Sequence, residues 1–343
     1  MKEQLLKLTI KDIAKICDVS VTTVSRTING REEGVGAKTR KKILAAIKES
    51  GYQPNTIARS MITKKTNTIA LVIPDICNPF FAELARGVGD ICAEQGYHLF
   101  LCNTDGSMEQ ERGQVVFLQE HLVDGIILTT QNSVEDDGII SDLIKDKFPF
   151  VLVERYVEGM DIELQVTIDN AGGIEKVVDY LAKNGHRKIA FVGGPLDANN
   201  AKQRFTGYKR GLAKNGLTYD NSLVLSGDYQ LKSGYDATTK LLETKRGEFT
   251  AIVLANDLMA IGACNAITNM KLKVPEDISV AGFDNLSMTN VIQPRITTAG
   301  VPIDKLGRTA AKLLCQRLAG VEKKNHVKIE CEVFVRESIR KIN

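Results

Sequence analysis

The sequence predicts two unlike parts: an all-α helix-turn-helix head and, behind it, an α/β core of two doubly wound parallel-sheet lobes. Three observations carry this. Apolar runs of strand length alternate with helical stretches from residue 68 almost to the end, the pattern of βαβ units. The alternation is long enough to supply two sheets. The first 65 residues lack it and hold 14 Lys and Arg against 6 Asp and Glu, so the head is +8 and the remainder −5 within a chain whose net charge is only +3. A small basic head on a mildly acidic body directs a polyanionic partner to the head.

The head opens with TIKDIAKICDVSVTTVSRTING. Thr9 is placed to cap a first helix, its hydroxyl accepting from an early backbone N–H, with Asp12 as the acidic half of a capping box. Ile10, Ile13, Ala14 and Cys17 follow at i, i+3, i+4 and i+7, one apolar face. Asp18, Val19 and Ser20 make a turn, and Ser20 caps a second helix from Val21 to Asn29 that Gly30 stops. At about 100° per residue, Val24 and Ile28 are the buried side, and Thr22, Thr23, Arg26 and Asn29 point outward. That outward face suits base edges in a major groove, Arg26 being able to take a guanine bidentately; a plain solvated face is the competing reading. A third helix, Ala37 to Ser50, turns Ile43, Leu44 and Ile47 inward and ends at Gly51.

This run, continued by TRKKILAAIKESGYQPNTIARSM, closely resembles the helix-turn-helix and hinge of the LacI/GalR family of transcriptional repressors, without a gap over about the first 62 residues. The resemblance implies that the first, second and sixth residues of the recognition helix meet bases; these are Val21, Thr22 and Arg26. Where the family often has glycine in the turn, this chain has Asp18, a residue type that tolerates left-handed backbone. It further implies that PNTIARSM folds against a dimer mate on the operator and drives Met61 into the minor groove. Taken alone, that segment reads as a linker, too short for a stable helix in water. The candidate DNA contacts are Thr9, Ser20, Val21, Thr22, Thr23, Ser25, Arg26 and Asn29 in the head, with Asn55, Ala58 and Met61 in the hinge.

The strands of the core are TIALVI (68 to 73), HLFLC (98 to 102), GIILTT (125 to 130) and FVLVE (150 to 154). Helices fall between them near Phe80 to Gln95, Met108 to His121 and Asp136 to Lys147. A second series starts with QVTID and continues through KIAFVGG, LVLSGD, AIVLA and ISVAGFD, with helices near Asn170 to Asn184, Lys202 to Asn215, Leu231 to Lys245 and Asp257 to Met270. ITTAGV and a helix from Ile303 to Leu318 then supply a crossover strand and helix to the first lobe, and VKIECEVFVRES a final strand to the second. The resulting division is residues 1–52 for the head, 53–65 for hinge and linker, and 66–343 for the core. Lobe 1 takes about 66–167 plus 299–328, and lobe 2 about 168–298 plus 329–343. The plan resembles the type I periplasmic sugar-binding fold that forms the core of LacI-family proteins.

Ligands of doubly wound sheets bind beyond the carboxyl ends of the strands. The polar and aromatic residues there are Asn78, Phe80 and Phe81 after the first strand, Glu154 and Arg155 after the fourth, and Arg204, Tyr229, Asn256, Asp257 and Asp284 in the second lobe. Carboxylates and arginines facing vicinal hydroxyls, with rings against an apolar sugar face, would clamp a monosaccharide; the same residue types suit any polar cleft. Through NPFF, CNTDG and GGPLD the chain is similar to ribose-operon repressors, which implies a pentose such as ribose as effector, with Arg155 and Arg204 leaving a phosphosugar or sugar acid open. Glu154 stands where those relatives have Asp.

No dinucleotide, Walker, nucleophile-elbow or zincin motif occurs, and the four histidines share no metal-ligand spacing, so neither an enzyme nor a cofactor or metal site is expected. Seven cysteines, odd in number and scattered through apolar runs, read as reduced core residues. No window approaches the roughly 18 apolar residues of a membrane span, and MKEQLLKLT is no signal peptide, so a cytoplasmic location is expected. The expected protein is a homodimeric repressor of palindromic operator DNA controlled by a small molecule. A sugar-binding transport component with the same core is the alternative, and it needs an export signal and no DNA head.

Overall fold

The computed structural model describes residues 8–28, 30, 33–53, 65–121, 123–130, 138–155, 157, 159–195 and 198–342, with the side chain of residue 121 excepted. Contacts divide the chain into two units, 1–66 and 67–343.

The first unit holds α1 (Ile10–Cys17), α2 (Val21–Ile28) and α3 (Ala37–Ser50). Their apolar faces meet in a small core of Ile13, Ala14, Cys17, Val24, Ile43 and Tyr52. Leu44 is a correction: it is 48% exposed, because it lies one residue, about 100°, off the stripe that Ile43 and Ile47 define. The capping box forms with its hydroxyl reversed. Asp12 Oδ2 accepts from both the Thr9 N–H and the Thr9 hydroxyl at 2.8 Å, the carboxylate being a stronger acceptor than the hydroxyl.

In the second unit the elements run β1 (Thr68–Ile73), α4 (Pro79–Glu94), β2 (His98–Asn103), α5 (Met108–His121), β3 (Gly125–Leu128), α6 (Ile139–Lys145), β4 (Phe150–Glu154) and β5 (Leu164–Ile168). They continue as α7 (Asn170–Lys183), β6 (Ile189–Gly193), α8 (Asn199–Lys214), β7 (Val224–Ser226), α9 (Leu231–Lys245), β8 (Ala251–Leu254), α10 (Asp257–Asn269) and β9 (Ser279–Asp284). Last come β10 (Thr297–Gly300), α11 (Ile303–Leu318), β11 (Asn325–Ile329) and β12 (Glu332–Phe334). The first sheet has order β11-β5-β4-β3-β1-β2, all parallel. The second has order β12-β10-β9-β8-β6-β7, parallel except for β12 against β10. Central strands such as β1, β3 and β8 are buried on both faces, which is why they read as unbroken apolar runs.

Three strand assignments are corrected. VKIECEVFVRES is not one strand of the second lobe: its first residues belong to β11 of the first sheet, and only EVF, as β12, joins the second. QVTID does not open the second lobe: as β5 it completes the first sheet between β4 and β11. ITTAGV does not join the first: as β10 it pairs with β9 and β12, and the chain crosses only after it, so that α11 packs on α4. The chain thus passes between lobes three times, after β5, β10 and β11. Helix α6 starts at Ile139, with 136 and 137 outside the described residues, and α8 starts at Asn199, three residues before the expected Lys202.

His186, in the turn before β6, is wholly buried. Its Nε2 lies 3.1 Å from the Arg340 carbonyl and so carries the proton, while Nδ1, 2.9 Å from Thr250 Oγ1, accepts. Burial pushes its pKa down and keeps it neutral. Of the cysteines, all free, only Cys77 is exposed.

Glycines set the helix spacing in the first lobe. A Cβ on Gly87 of α4 would stand 2.1 Å from the Asp304 carbonyl of α11, and one on Gly307 of α11 would stand 2.3 Å from the Leu84 carbonyl of α4. Each helix therefore touches the other's backbone through a missing side chain. Gly87→Ala is expected to destabilise the core by about 1–3 kcal/mol through overpacking, read by urea denaturation, whereas the same change at exposed Gly113, which has open space, is expected to leave it unchanged or slightly raised.

Candidate functional site

The head presents its recognition helix through two backbone devices. Asp18 ends α1 at φ 52° and ψ 52°, the left-handed conformation that its short polar side chain tolerates in place of glycine. Ser20 then caps α2, its Oγ accepting from the Thr23 N–H at 3.1 Å. Val24 and Thr27 are buried, and Val21, Thr22 and Arg26 are exposed on the opposite side, with Thr23 and Ser25 half-buried at its margins. The Arg26 guanidinium lies over Gly34, so close that a Cβ there would be 2.7 Å from Nη1. Asn29, Asn55, Ala58 and Met61 lie outside the described residues.

In the core, the carboxyl ends of both sheets bring charged side chains together at the lobe junction. Arg204, on α8, is 3% exposed. Its Nε donates to Asn170 Oδ1 (2.8 Å), Nη1 to the Ala255 carbonyl (2.7 Å) and Nη2 to Asp284 Oδ1 (3.2 Å). Its Cζ sits 4.0 Å from the Phe283 ring centroid. From the first lobe Glu154 reaches over: Oε1 accepts from Asn200 Nδ2 at 2.6 Å and lies 3.9 Å from Arg204 Nη2. Its Oε2 is buried, 3.2 Å from Arg155 Nε in an ion pair that lacks hydrogen-bond geometry, and has no hydrogen-bond partner among the described residues. Arg155 in turn donates to the Thr130 carbonyl at 3.3 Å. The Tyr229 hydroxyl donates to Asn200 Oδ1 (2.9 Å), and Asn256, which caps α10, donates to the Tyr229 carbonyl.

Further bonds join the lobes, among them Gln230 Nε2 to Asp75 Oδ2 at 3.0 Å, and the Ser287 hydroxyl and N–H to Glu83 Oε1 at 2.9 and 3.2 Å. Beside the Ser287–Glu83 contact a cavity of about 340 Å3 opens, lined by Glu83, Asn285, Leu286, Asp304 and Arg336 among others, and it includes none of Glu154, Arg204 or Tyr229.

Of the expected effector residues, Glu154, Arg155, Arg204, Tyr229, Asn256 and Asp284 form this cluster. Asp257 stands apart, with Oδ1 taking the Thr298 hydroxyl at 2.6 Å and Oδ2 the Leu286 N–H at 2.8 Å, both inside the second lobe. Asn78 caps α4 with its Oδ1 on the Phe80 N–H, and Phe80 and Phe81 are buried edge-to-face at 5.2 Å, on the same sheet edge as Glu154. Asn200 and Asn170, central to the network, were not singled out from sequence; the paired asparagines at the start of α8 were the available signal.

Burial pushes the Asp284 carboxyl up to about 7, the Arg204 guanidinium pulling the other way and the Glu154 carboxylate reinforcing the rise. Asp257 is raised well above the carboxylate range by burial and then by Asp284. Folded Asp284 therefore keeps a proton that the unfolded chain releases near pH 4, so its contribution is present below that pH and lost as pH rises through about 7. In thermal melts from pH 4 to pH 8, Asp284→Asn is expected to lose less stability with rising pH than the wild type; equal pH dependence of the two would assign the titration elsewhere.

Residues 9–55 match the family of bacterial regulatory proteins of the lacI type, and residues 66–337 match the periplasmic binding proteins and sugar binding domain of the LacI family. Among curated relatives, catabolite control protein A of Priestia megaterium is 38% identical over 90% of this chain and 92% of its own. The HTH-type transcriptional repressor PurR of Aliivibrio salmonicida is 33% identical over 97% and 99%. Among solved structures, the lac repressor dimer bound to operator and the anti-inducer ONPF superposes with a TM-score of 0.88 at 26% identity, covering 97% of this chain and 99% of that one. A LacI-family regulator from Enterococcus faecium with bound ribose superposes at 0.71 and 30% identity, covering 80% and 100%. These curated relatives are named catabolite control protein A and PurR, so they support the family and not specifically the likeness to ribose-operon repressors. With both profiles matched in order along nearly the whole length, the chain belongs to the LacI family of bacterial regulatory proteins.

Proposed function

We propose that this chain is a cytoplasmic, homodimeric transcriptional repressor. Its head (1–52) and hinge (53–65) grip a palindromic operator, and its core (66–343) answers to a small polar effector between the lobes. The observation that carries the effector reading is the buried Glu154 Oε2. It is ion-paired with Arg155 Nε at 3.2 Å but accepts no hydrogen bond among the described residues, so it keeps acceptor capacity that a ligand hydroxyl meets. Around it, Arg204, Asp284 and Asn200 supply the bidentate and amide groups that fix a polyol, and Tyr229 supplies a ring. A monosaccharide fits this set, with ribose the specific candidate; the ribose-bound relative supports it by likeness. In the head, Val21, Thr22 and Arg26 face bases, while Ser20, Thr23 and the basic residues around them meet phosphates.

Two outcomes are expected. Arg26→Ala loses about 1–3 kcal/mol on the cognate operator and relaxes preference at one base pair; equal losses on specific and random DNA in a gel shift overturn the base-reading role. Calorimetric titration with ribose and a monosaccharide panel gives heat with wild type and none with Arg204→Ala, whose operator binding without sugar survives. No heat from any sugar at millimolar concentration overturns the monosaccharide assignment.

A further inference from the structure

Gly30, Gly34 and Gly36 lie between α2 and α3, and they differ in what they require. Gly36, at φ −64°, has ordinary backbone, and a Cβ there would meet open space. Gly30, at φ 67°, has open space too, so only its backbone favours glycine. Gly34 combines φ 79° with a contact. A Cβ on it would stand 2.7 Å from Arg26 Nη1 and 3.9 Å from Cζ, and no other Arg26 atom lies within 4 Å of that point. The terminal nitrogen Nη1 therefore rests where a side chain would be, and the Nε–Nη2 edge is turned away from the loop.

We infer that Gly34 is a positioning residue for base recognition, its bare Cα seating the Arg26 guanidinium so that the two-donor Nε–Nη2 edge is presented to the O6 and N7 of a guanine. This rests on the reading that Arg26 meets a base. Among Val21, Thr22 and Arg26, the outward residues of α2, only the arginine has a long stem with much rotamer freedom to lose, whereas the other two are β-branched and stiff at χ1. A seat that restricts the guanidinium beforehand lowers the ordering cost of binding. Distance decides what a side chain at position 34 would do. An unstrained contact needs about 3.5 Å, so a Cβ at 2.7 Å displaces the guanidinium by about 0.8 Å, more than the roughly 0.5 Å within which a recognition geometry stays productive. The far end of a flexible side chain yields before backbone does, so the change falls on the fork of Arg26 and spares the packing of the head.

The test uses full-length protein and fluorescence anisotropy on the operator and on operators altered one base pair at a time. Gly34→Asn is the fold-safe variant, because asparagine tolerates left-handed backbone and still sets a Cβ against Nη1. It is expected to lose about tenfold of the preference at the base pair that Arg26→Ala relaxes, within what one bidentate contact supplies, and none elsewhere. In an Arg26→Ala background the same substitution is expected to change nothing, since both act through one guanidinium. Gly30→Asn, with similar backbone and open space, is expected to match wild type. Without DNA, phenylglyoxal, which bridges the two terminal guanidinium nitrogens, is expected to modify Arg26 faster in Gly34→Asn than in wild type, read by peptide mass spectrometry. An unchanged labelling rate overturns the seat whatever the DNA shows. Where Arg26→Ala does relax a base pair, unchanged preference in Gly34→Asn, or an equal loss with and without Arg26, also overturns it. Faster labelling alongside an Arg26→Ala that relaxes no base pair upholds the seating of the guanidinium and rejects base reading, so the two fail separately.

Discussion

A guanidinium sealed inside a protein must be met on every side, and Arg204 is that constraint here. Its bonds run to the start of α7, the end of β8 and the end of β9, and its flat face lies on Phe283. Those are the amino end of one helix and the carboxyl ends of two strands, all on the side of the second lobe that faces the first. A single side chain therefore fixes the spacing of the groups that face the first lobe. Removing a partner would leave a buried charge uncompensated, the costly way to break such a network. The second lobe is accordingly a rigid partner, and the first lobe meets it through Glu154.

Backbone strain gathers at the same place. Glu154, Tyr229, Asp284 and Asn285 all have positive φ, Asp284 at 114°. Three of them end a strand or follow one at the lobe junction, where the chain must turn a side chain across the gap within one residue. Glycine would relieve each turn and delete the group that the turn presents. Keeping a carboxylate or a phenol at such positions exchanges local backbone energy for chemistry directed at the other lobe.

Much of this was legible in the sequence because it depends on period and on end signals. Alternating apolar runs gave the two lobes, Asn78 before Pro79 announced the start of α4, and Asp18 marked a left-handed turn. What sequence could not give was pairing. QVTID and ITTAGV have equally apolar patterns, and which sheet a strand joins is decided by where the crossovers run, a non-local matter. The same limit explains Asp257. At the end of β8 it looks like its neighbours, yet the hydroxyl of Thr298, 41 residues on, turns its carboxylate inward. Asn200 was missed because amides are common in loops, and only the tertiary structure sets one against Glu154.

The charge at the junction bears on what can enter it. Glu154 and Asp284 face Arg155 and Arg204, and each arginine already has a carboxylate within 3.2 Å. A phosphate or sugar acid would have to take a guanidinium from one of these carboxylates and leave that carboxylate buried beside a second anion, which desolvation makes expensive. A neutral polyol disturbs nothing of that balance. On the proposed reading its hydroxyl donates to Glu154 Oε2, which is ion-paired with Arg155 but accepts no hydrogen bond among the described residues. The burial that raises Asp284 works in the same direction, since a carboxyl that holds its proton more readily tolerates a hydroxyl better than a new negative charge. The pairing already present in the buried network thus disfavours a further anion, which is the physical ground for proposing a neutral polyol.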